Sequence, residues 1–204
     1  MSRPHSLLQR RYALRVRPTI VESLASETPR MLDFAGDQPL SFSMQPVAQT
    51  EWCWAAVAAS VSAFYTAASI WTQCAIANRV LANVRSGTDC CADGTSSECN
   101  QDWYLERALQ CTVNLAEPPC GPIGFDRVKS EIAGGRPIGA RFQWAGGIAA
   151  HFFTIYGYVD DDSQTVLTRD PTFADGSMPV STLASSYLGM PGKWTNVYFT
   201  EGAP

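Results

Sequence analysis

The sequence predicts an α+β domain in which a helical half precedes a β half. Apolar residues recur at helical spacing as far as Ile132, whereas from Pro137 onward short segments alternate or run apolar with aromatic and β-branched residues. The pair Gly134-Gly135 stands at the changeover. Helices first and strands second is the order of an α+β fold, not of an alternating α/β one. At 204 residues and 46% hydrophobic composition, the chain builds one full-sized core, so one domain with an N-terminal extension fits the size.

Residues 1–40 lack sustained periodicity and are punctuated by Pro18, Pro29 and Pro39, so they read as an N-terminal extension or pro-segment ahead of a domain spanning 41–204. Arg3, Arg10, Arg11, Arg15 and Arg17 all precede the first acid, Glu22. That stretch reads as a solvated tail or pro-segment in preference to a targeting or anionic-surface element. Ser41 to Glu51 is extended and loop-like around Pro46, with Gln45 and Gln49.

From Cys53 to about Ala67 the run is Ala-rich, with Val57, Val61 and Phe64 at helical spacing, which predicts a buried helix. A second helix is expected over Gln73–Val84 and a third over Gln101–Cys111, with Trp103, Leu105 and Leu109 inward. Between them, Gly87, Asp89, Gly94 and Ser97 mark a loop. Pro118, Pro119, Gly121 and Pro122 end the third helix, and a short helix follows over Asp126–Ile132. Strands are expected over Pro137–Trp144, His151–Val159, Gln164–Arg169 and Asn196–Thr200. The polar turn Asp160-Asp161-Asp162-Ser163 joins the second to the third.

Several classes of function fall away on composition. A net charge of -4 offers no electrostatic case for nucleic acid. No apolar run approaches the roughly 18 residues that a membrane span needs. The first 25 residues lack the apolar core of a signal peptide, so export is expected either after removal of a leader or by another route. No cofactor or metal is implied, and the oligomeric state is expected to be monomeric.

Seven cysteines are present: Cys53, Cys74, Cys90, Cys91, Cys99, Cys111 and Cys120. Setting Cys53 aside leaves six between 74 and 120, enough for three disulfides, whose connectivity sequence does not decide. Such clustering points to an oxidising compartment. A zinc site is the rival reading, weakened by the absence of a C-x-x-C pair and of a nearby histidine. Reduced, partly buried thiols are the third.

Cys53 carries the chemistry. It sits at the mouth of the first predicted helix in Glu51-Trp52-Cys53-Trp54-Ala55-Ala56-Val57, and His151 is the only histidine downstream of it. A helix N-terminus offers free N–H groups and partial positive charge that favour a thiolate, and an imidazole completes the activation of a thiol nucleophile. Asp170-Pro171 follows His151 by one strand-turn-strand, so a hairpin sets the two side by side. Each residue also has a plainer reading: a buried structural cysteine, a packed histidine, an Asp-Pro turn. Trp194 reads as a core residue in preference to a cover over the His–Asp pair.

The run Gln49-Thr-Glu-Trp-Cys53-Trp-Ala-Ala-Val, with Ile76-Ala-Asn-Arg-Val-Leu81, Cys90-Cys91, Cys99-Asn100, Gly135-Arg-Pro137, His151 and Asp170-Pro171, resembles the bacterial papain-like cysteine proteases of the AvrRpt2 effector group over about residues 44–200. The resemblance implies a helical half carrying the cysteine against an antiparallel β half carrying the histidine and aspartate, with substrate in the cleft between. Under it, Cys53 is the nucleophile that forms a thioester, His151 the base and then the acid, and Asp170 the acceptor of the His151 Nδ1–H. Gln49 with the Cys53 backbone N–H forms the oxyanion hole, Gln45 being the alternative. Trp54, Gly147 and Ala150 line the substrate path, the small residues admitting a substrate backbone. The substrate is a protein or peptide, and the enzyme is secreted or delivered outside the producing cell as an effector. The same triad serves acyltransferases and transglutaminase-like enzymes, which differ in the acceptor of the thioester. A catalytically silent, disulfide-stapled binding module is the non-enzymatic alternative.

Overall fold

The computed structural model describes residues 39–203 apart from residues 85 and 148. The expected extension therefore lies outside the described residues except for Pro39 and Leu40.

Four helices come first: α1 (Cys53–Tyr65), α2 (Gln73–Val80), α3 (Leu105–Cys111) and α4 (Phe125–Ala133). There follow β1 (Ile138–Trp144), β2 (Ala150–Val159), β3 (Thr165–Arg169), β4 (Gly176–Pro179), the single turn α5 (Val180–Leu183), β5 (Ser186–Tyr187) and β6 (Met190–Phe199). The α+β class and the split between halves are as the sequence predicts.

The strands form one sheet in the order β4-β3-β2-β1-β6-β5, every pairing antiparallel. In the β1–β2 hairpin Ile138 faces Ile155 and Phe142 faces His151. In the β2–β3 hairpin Thr154 faces Arg169. Alternation along β2 divides its side chains between two apolar clusters. Phe152 and Tyr156 join the one built on α1, α2 and α3. Phe153 and Ile155 join the other, with Phe125, Val128 and Ile132 of α4 and Ile138, Ala140 and Phe142 of β1.

Helix α1 is buried along its first ten residues, Cys53 to Ser62, as a helix apolar on every side must be. Ala55, Ala56, Ala58 and Ala59 have no exposed surface, so the packed neighbours leave no room for larger side chains without overpacking. Val57 and Val61 are fully buried, each stabilising by about 1.5–3 kcal/mol. The helix that carries Cys53 is thus locked on all sides before any chemistry is considered.

Residues 39–52 hold no regular element but are tied down. The Leu40 N–H donates to Tyr156 O and the Val47 N–H to Pro171 O. The Ala48 N–H donates to Gln73 Oε1 at 2.9 Å, and Gln73 Nε2 to Pro46 O at 2.9 Å. The segment leading into Cys53 therefore touches both halves.

Two disulfides form, Cys74–Cys91 and Cys90–Cys99, while Cys53, Cys111 and Cys120 are free. This corrects the expected three bridges. Cys111 ends α3, whereas the Cys120 backbone is bonded to Val197 of β6, so each is anchored to a different element. Four of the six clustered cysteines are spent in disulfides, which also removes them as zinc ligands. Among the described residues no helix is long and apolar enough to cross a membrane.

Candidate active site

Cys53 is the first residue of α1. Its N-cap, Trp52, makes no side-chain capping bond, and the first turn holds no acid. The leading N–H groups of the helix are therefore not claimed by a side chain at the very place where the sulfur sits. The two flanking tryptophans fix that turn from behind: Trp52 Nε1 donates to Cys99 O at 2.7 Å and Trp54 Nε1 to Gln101 O at 3.1 Å.

His151 is the second residue of β2, 2% exposed, and Asp170 follows the last residue of β3, 7% exposed. The hairpin brings them together: His151 Nε2 lies 2.9 Å from Asp170 Oδ1 and 2.8 Å from Oδ2. The expected contact through Nδ1 is thereby corrected to Nε2. The hairpin presents Asp170 to the outer edge of the imidazole, so the nitrogen next to the main chain is not the one that meets the carboxylate. The structure thus brings His151 and Asp170 together, and Cys53 is near enough to His151 to act on its pKa.

Asp170 is held by more than the histidine. Its Oδ1 accepts the N–H groups of Thr172 and Phe173, each at 2.8 Å, and its Oδ2 accepts the Tyr187 hydroxyl at 2.8 Å. The turn reading of Asp170-Pro171 and the pairing with His151 are therefore compatible, because one carboxylate does both. Tyr187 is fully buried and stacked on Phe153 with ring centroids 4.2 Å apart. Phe173 sets its ring edge-on against His151 at 5.2 Å. Neither residue stood out in the sequence. The signal for Phe173 was its place in the Asp170 turn; Tyr187, 17 residues from its partner, carried none.

Burial alone pulls the His151 pKa down, but the charge and hydrogen bond of Asp170, aided by Cys53, outweigh it and raise the pKa to about 10. Burial likewise pushes Asp170 up, yet His151 and the two turn N–H groups win, holding it below its ordinary value. The pair is an imidazolium facing a carboxylate. Burial and the neighbouring Asp170 charge raise Tyr187 well above its usual range, so it remains a neutral donor.

The other expected residues fall as follows. Gln49 accepts the Trp52 N–H through its main-chain carbonyl, and its carboxamide lies against Gly94: a Cβ built there would stand 2.8 Å from Gln49 Nε2. The Gln45 carboxamide instead meets Gln73 Nε2, with Oε1 accepting at 3.4 Å. Trp54 has no exposed surface; its indole belongs to the core around α1 and offers a substrate nothing to touch. Gly147 is exposed in the β1–β2 turn with φ of +69°, and Ala150, half-buried, opens β2 opposite Gln143. Trp194 packs in the second cluster, 4% exposed. Among the described residues, no group of three or more His, Cys, Asp or Glu side chains gathers as a metal site would require.

The chain matches the family described as papain-like cysteine protease AvrRpt2 over residues 34–185. That span holds Cys53, His151 and Asp170. No curated protein matches the chain.

Proposed function

The chain belongs to the papain-like cysteine protease AvrRpt2 family and is a hydrolase of protein substrates; from that premise we propose that Cys53, His151 and Asp170 are its catalytic triad and that cleavage passes through a thioester on Cys53. The observation that supports this best is the His151 Nε2 contact with both carboxylate oxygens of Asp170, with Cys53 near enough to raise the His151 pKa.

The Cys53 sulfur attacks the carbonyl carbon of the scissile peptide bond. The oxyanion that forms is held by the Cys53 backbone N–H and by Gln49 Nε2. His151 gives its Nδ1 proton to the leaving nitrogen, the C–N bond breaks, and the acyl group remains as a thioester. A water then attacks that carbon, His151 Nδ1 takes its proton, and the C–S bond breaks to release the carboxylic acid. Asp170 stays ionised throughout, holding the imidazole in place and stabilising its charge. Gly147 and Ala150, at the edge of β2 beside His151, form the wall along which the substrate backbone lies.

The two disulfides support a place of action in an oxidising compartment, outside the producing cell, and residues 1–40 form an extension ahead of a monomeric catalytic domain. The test is mass spectrometry of the enzyme quenched in acid during turnover. An acyl adduct mapped to Cys53 is expected, chased by water to a free carboxylic acid; transfer of the acyl group to an amine in preference to water would make the enzyme a transferase.

A further inference from the structure

The end of the loop closed by Cys90 and Cys99, with the two residues that follow it, makes a series of bonds to the residues around the nucleophile. Asn100 Oδ1 accepts the Glu51 N–H at 3.0 Å, and Asn100 Nδ2 donates to Thr50 Oγ1 at 3.0 Å. The Cys99 carbonyl takes the Trp52 indole at 2.7 Å and Gln101 O takes that of Trp54 at 3.1 Å. At Gly94 a Cβ would meet Gln49 Nε2 at 2.8 Å and Gln49 Cδ at 3.2 Å. Five of the six residues from Gln49 to Trp54 are thus touched by this loop or the two residues that follow it; Cys53 is carried between them.

The loop buries little of itself and is held by its own turn hydrogen bonds, by Glu98 to Ser86 and Thr88, and by two disulfides. Cys90 and Cys99 are buried, but residues 91–98 between them are exposed or half-buried. The Cys90–Cys99 bridge closes it across nine residues, and Cys74–Cys91 fastens it to α2. A disulfide stabilises chiefly by restricting what the opened chain can do.

We propose that the loop closed by Cys90–Cys99 positions the active site: Gly94 leaves the space that the Gln49 carboxamide occupies, Asn100 sets the Thr50–Glu51 backbone, and turnover depends on the disulfide being intact. The inference rests on Gln49 and Cys53 acting as described above. Gly94, Asn100 and the bridge are positioning elements that reach no substrate. One consequence is unusual for a thiol enzyme: strong reductant, which keeps a nucleophilic cysteine reduced, lowers activity here by opening Cys90–Cys99.

The full-length chain is tested with an unstructured protein substrate, measuring kcat and KM separately together with the thermal midpoint. The atom nearest to a new Cβ at 94 is the end of the flexible Gln49 side chain, with the Cys90 carbonyl next at 3.1 Å. Gly94→Ala therefore moves the carboxamide, and the thermal midpoint reads any cost of crowding the carbonyl. Since removal of an oxyanion donor lowers kcat by about 10²–10³-fold, Gly94→Ala is expected to lower kcat about tenfold or more with KM little changed. In a Gln49→Ala background it has no further effect, because it acts through that side chain. Equal losses in both backgrounds, or wild-type kcat for Gly94→Ala, overturn the proposal. Asn100→Ala lowers kcat, and Asn100→Asp, which keeps the acceptor for the Glu51 N–H, restores most of it; equal loss in both contradicts the role. Cys90→Ser/Cys99→Ser leaves Cys74–Cys91 in place and is expected to lose kcat beyond its loss of folded fraction. If that variant does not fold, the Gly94 and Asn100 variants decide alone. Proteolysis by Cys53→Ala, or full activity of Gln49→Ala, would instead show that the underlying site assignment has failed.

Discussion

His151 Nε2 faces both carboxylate oxygens of Asp170, at 2.9 and 2.8 Å, with the two side chains 2% and 0% exposed. A buried charge pair of this kind is costly to break, because removal of one partner strands the other in a medium of low dielectric. The hairpin β2–β3 is what makes the pair, since Asp170 directly follows the residue that pairs with Thr154.

The first prediction is a pH profile. His151 is raised above its unfolded value, so its contribution to stability is fully present below about 6.5 and is lost as pH rises through about 10. Asp170 is lowered, so its contribution is present above the ordinary carboxylate range and is lost as pH falls through its folded value. The gap in thermal midpoint between wild type and Asp170→Asn should therefore be widest in mildly acidic solution and close toward pH 10. A gap that widens as pH rises would reverse the sign of the coupling.

Tyr187→Phe removes one of the donors to Asp170 while keeping the stacked ring. Loss of a buried hydrogen bond to a charged group is expected to destabilise by about 1.5–3 kcal/mol. Turnover should fall severalfold, because Asp170 keeps its two turn N–H groups. Denaturant unfolding and steady-state kinetics check both, and no change in either would remove Tyr187 from the support of the pair.

Much of this was legible in the sequence, for reasons that can be named. The α1 start was visible because an apolar, Ala-rich run begins abruptly at Cys53, and four of the six strands were visible from β-branched and aromatic runs. The third helix begins at Leu105 where Gln101 was expected, since Gln101 O accepts the Trp54 indole from an extended segment. Strand β6 begins at Met190, six residues earlier than expected, because Pro191 and Gly192 look like breakers yet sit at the end of the sheet. The short β4 and β5 were missed for want of length. Which ring nitrogen faces Asp170, and which cysteines pair, depend on how distant segments meet, and no local pattern encodes that.

The thiol count is a direct check on the cysteine arrangement. Denaturation in iodoacetamide without reductant should label three cysteines, Cys53, Cys111 and Cys120, and leave four paired. Under native conditions the exposed Cys120 should react well before Cys111, whose thiol pKa burial raises. A single labelled cysteine would mean that a third bridge forms.

Deletion of residues 1–36 leaves all the described residues, from 39 onward, in place. Comparing turnover of this truncated chain with that of the full chain tests the extension. A rise in kcat/KM is expected of an inhibitory pro-segment; unchanged turnover would mark a passive tail, and an unfolded product would place these residues in the domain.

The most direct measurement is the turnover of Cys53→Ala, His151→Ala and the double variant on one cleaved protein substrate, with circular dichroism to show that each remains folded. If the two residues act as one unit, each single change abolishes proteolysis and the double change adds little. Cleavage by Cys53→Ala above a few per cent of the wild-type rate, or losses that multiply in the double variant, would contradict a mechanism built on Cys53 and His151.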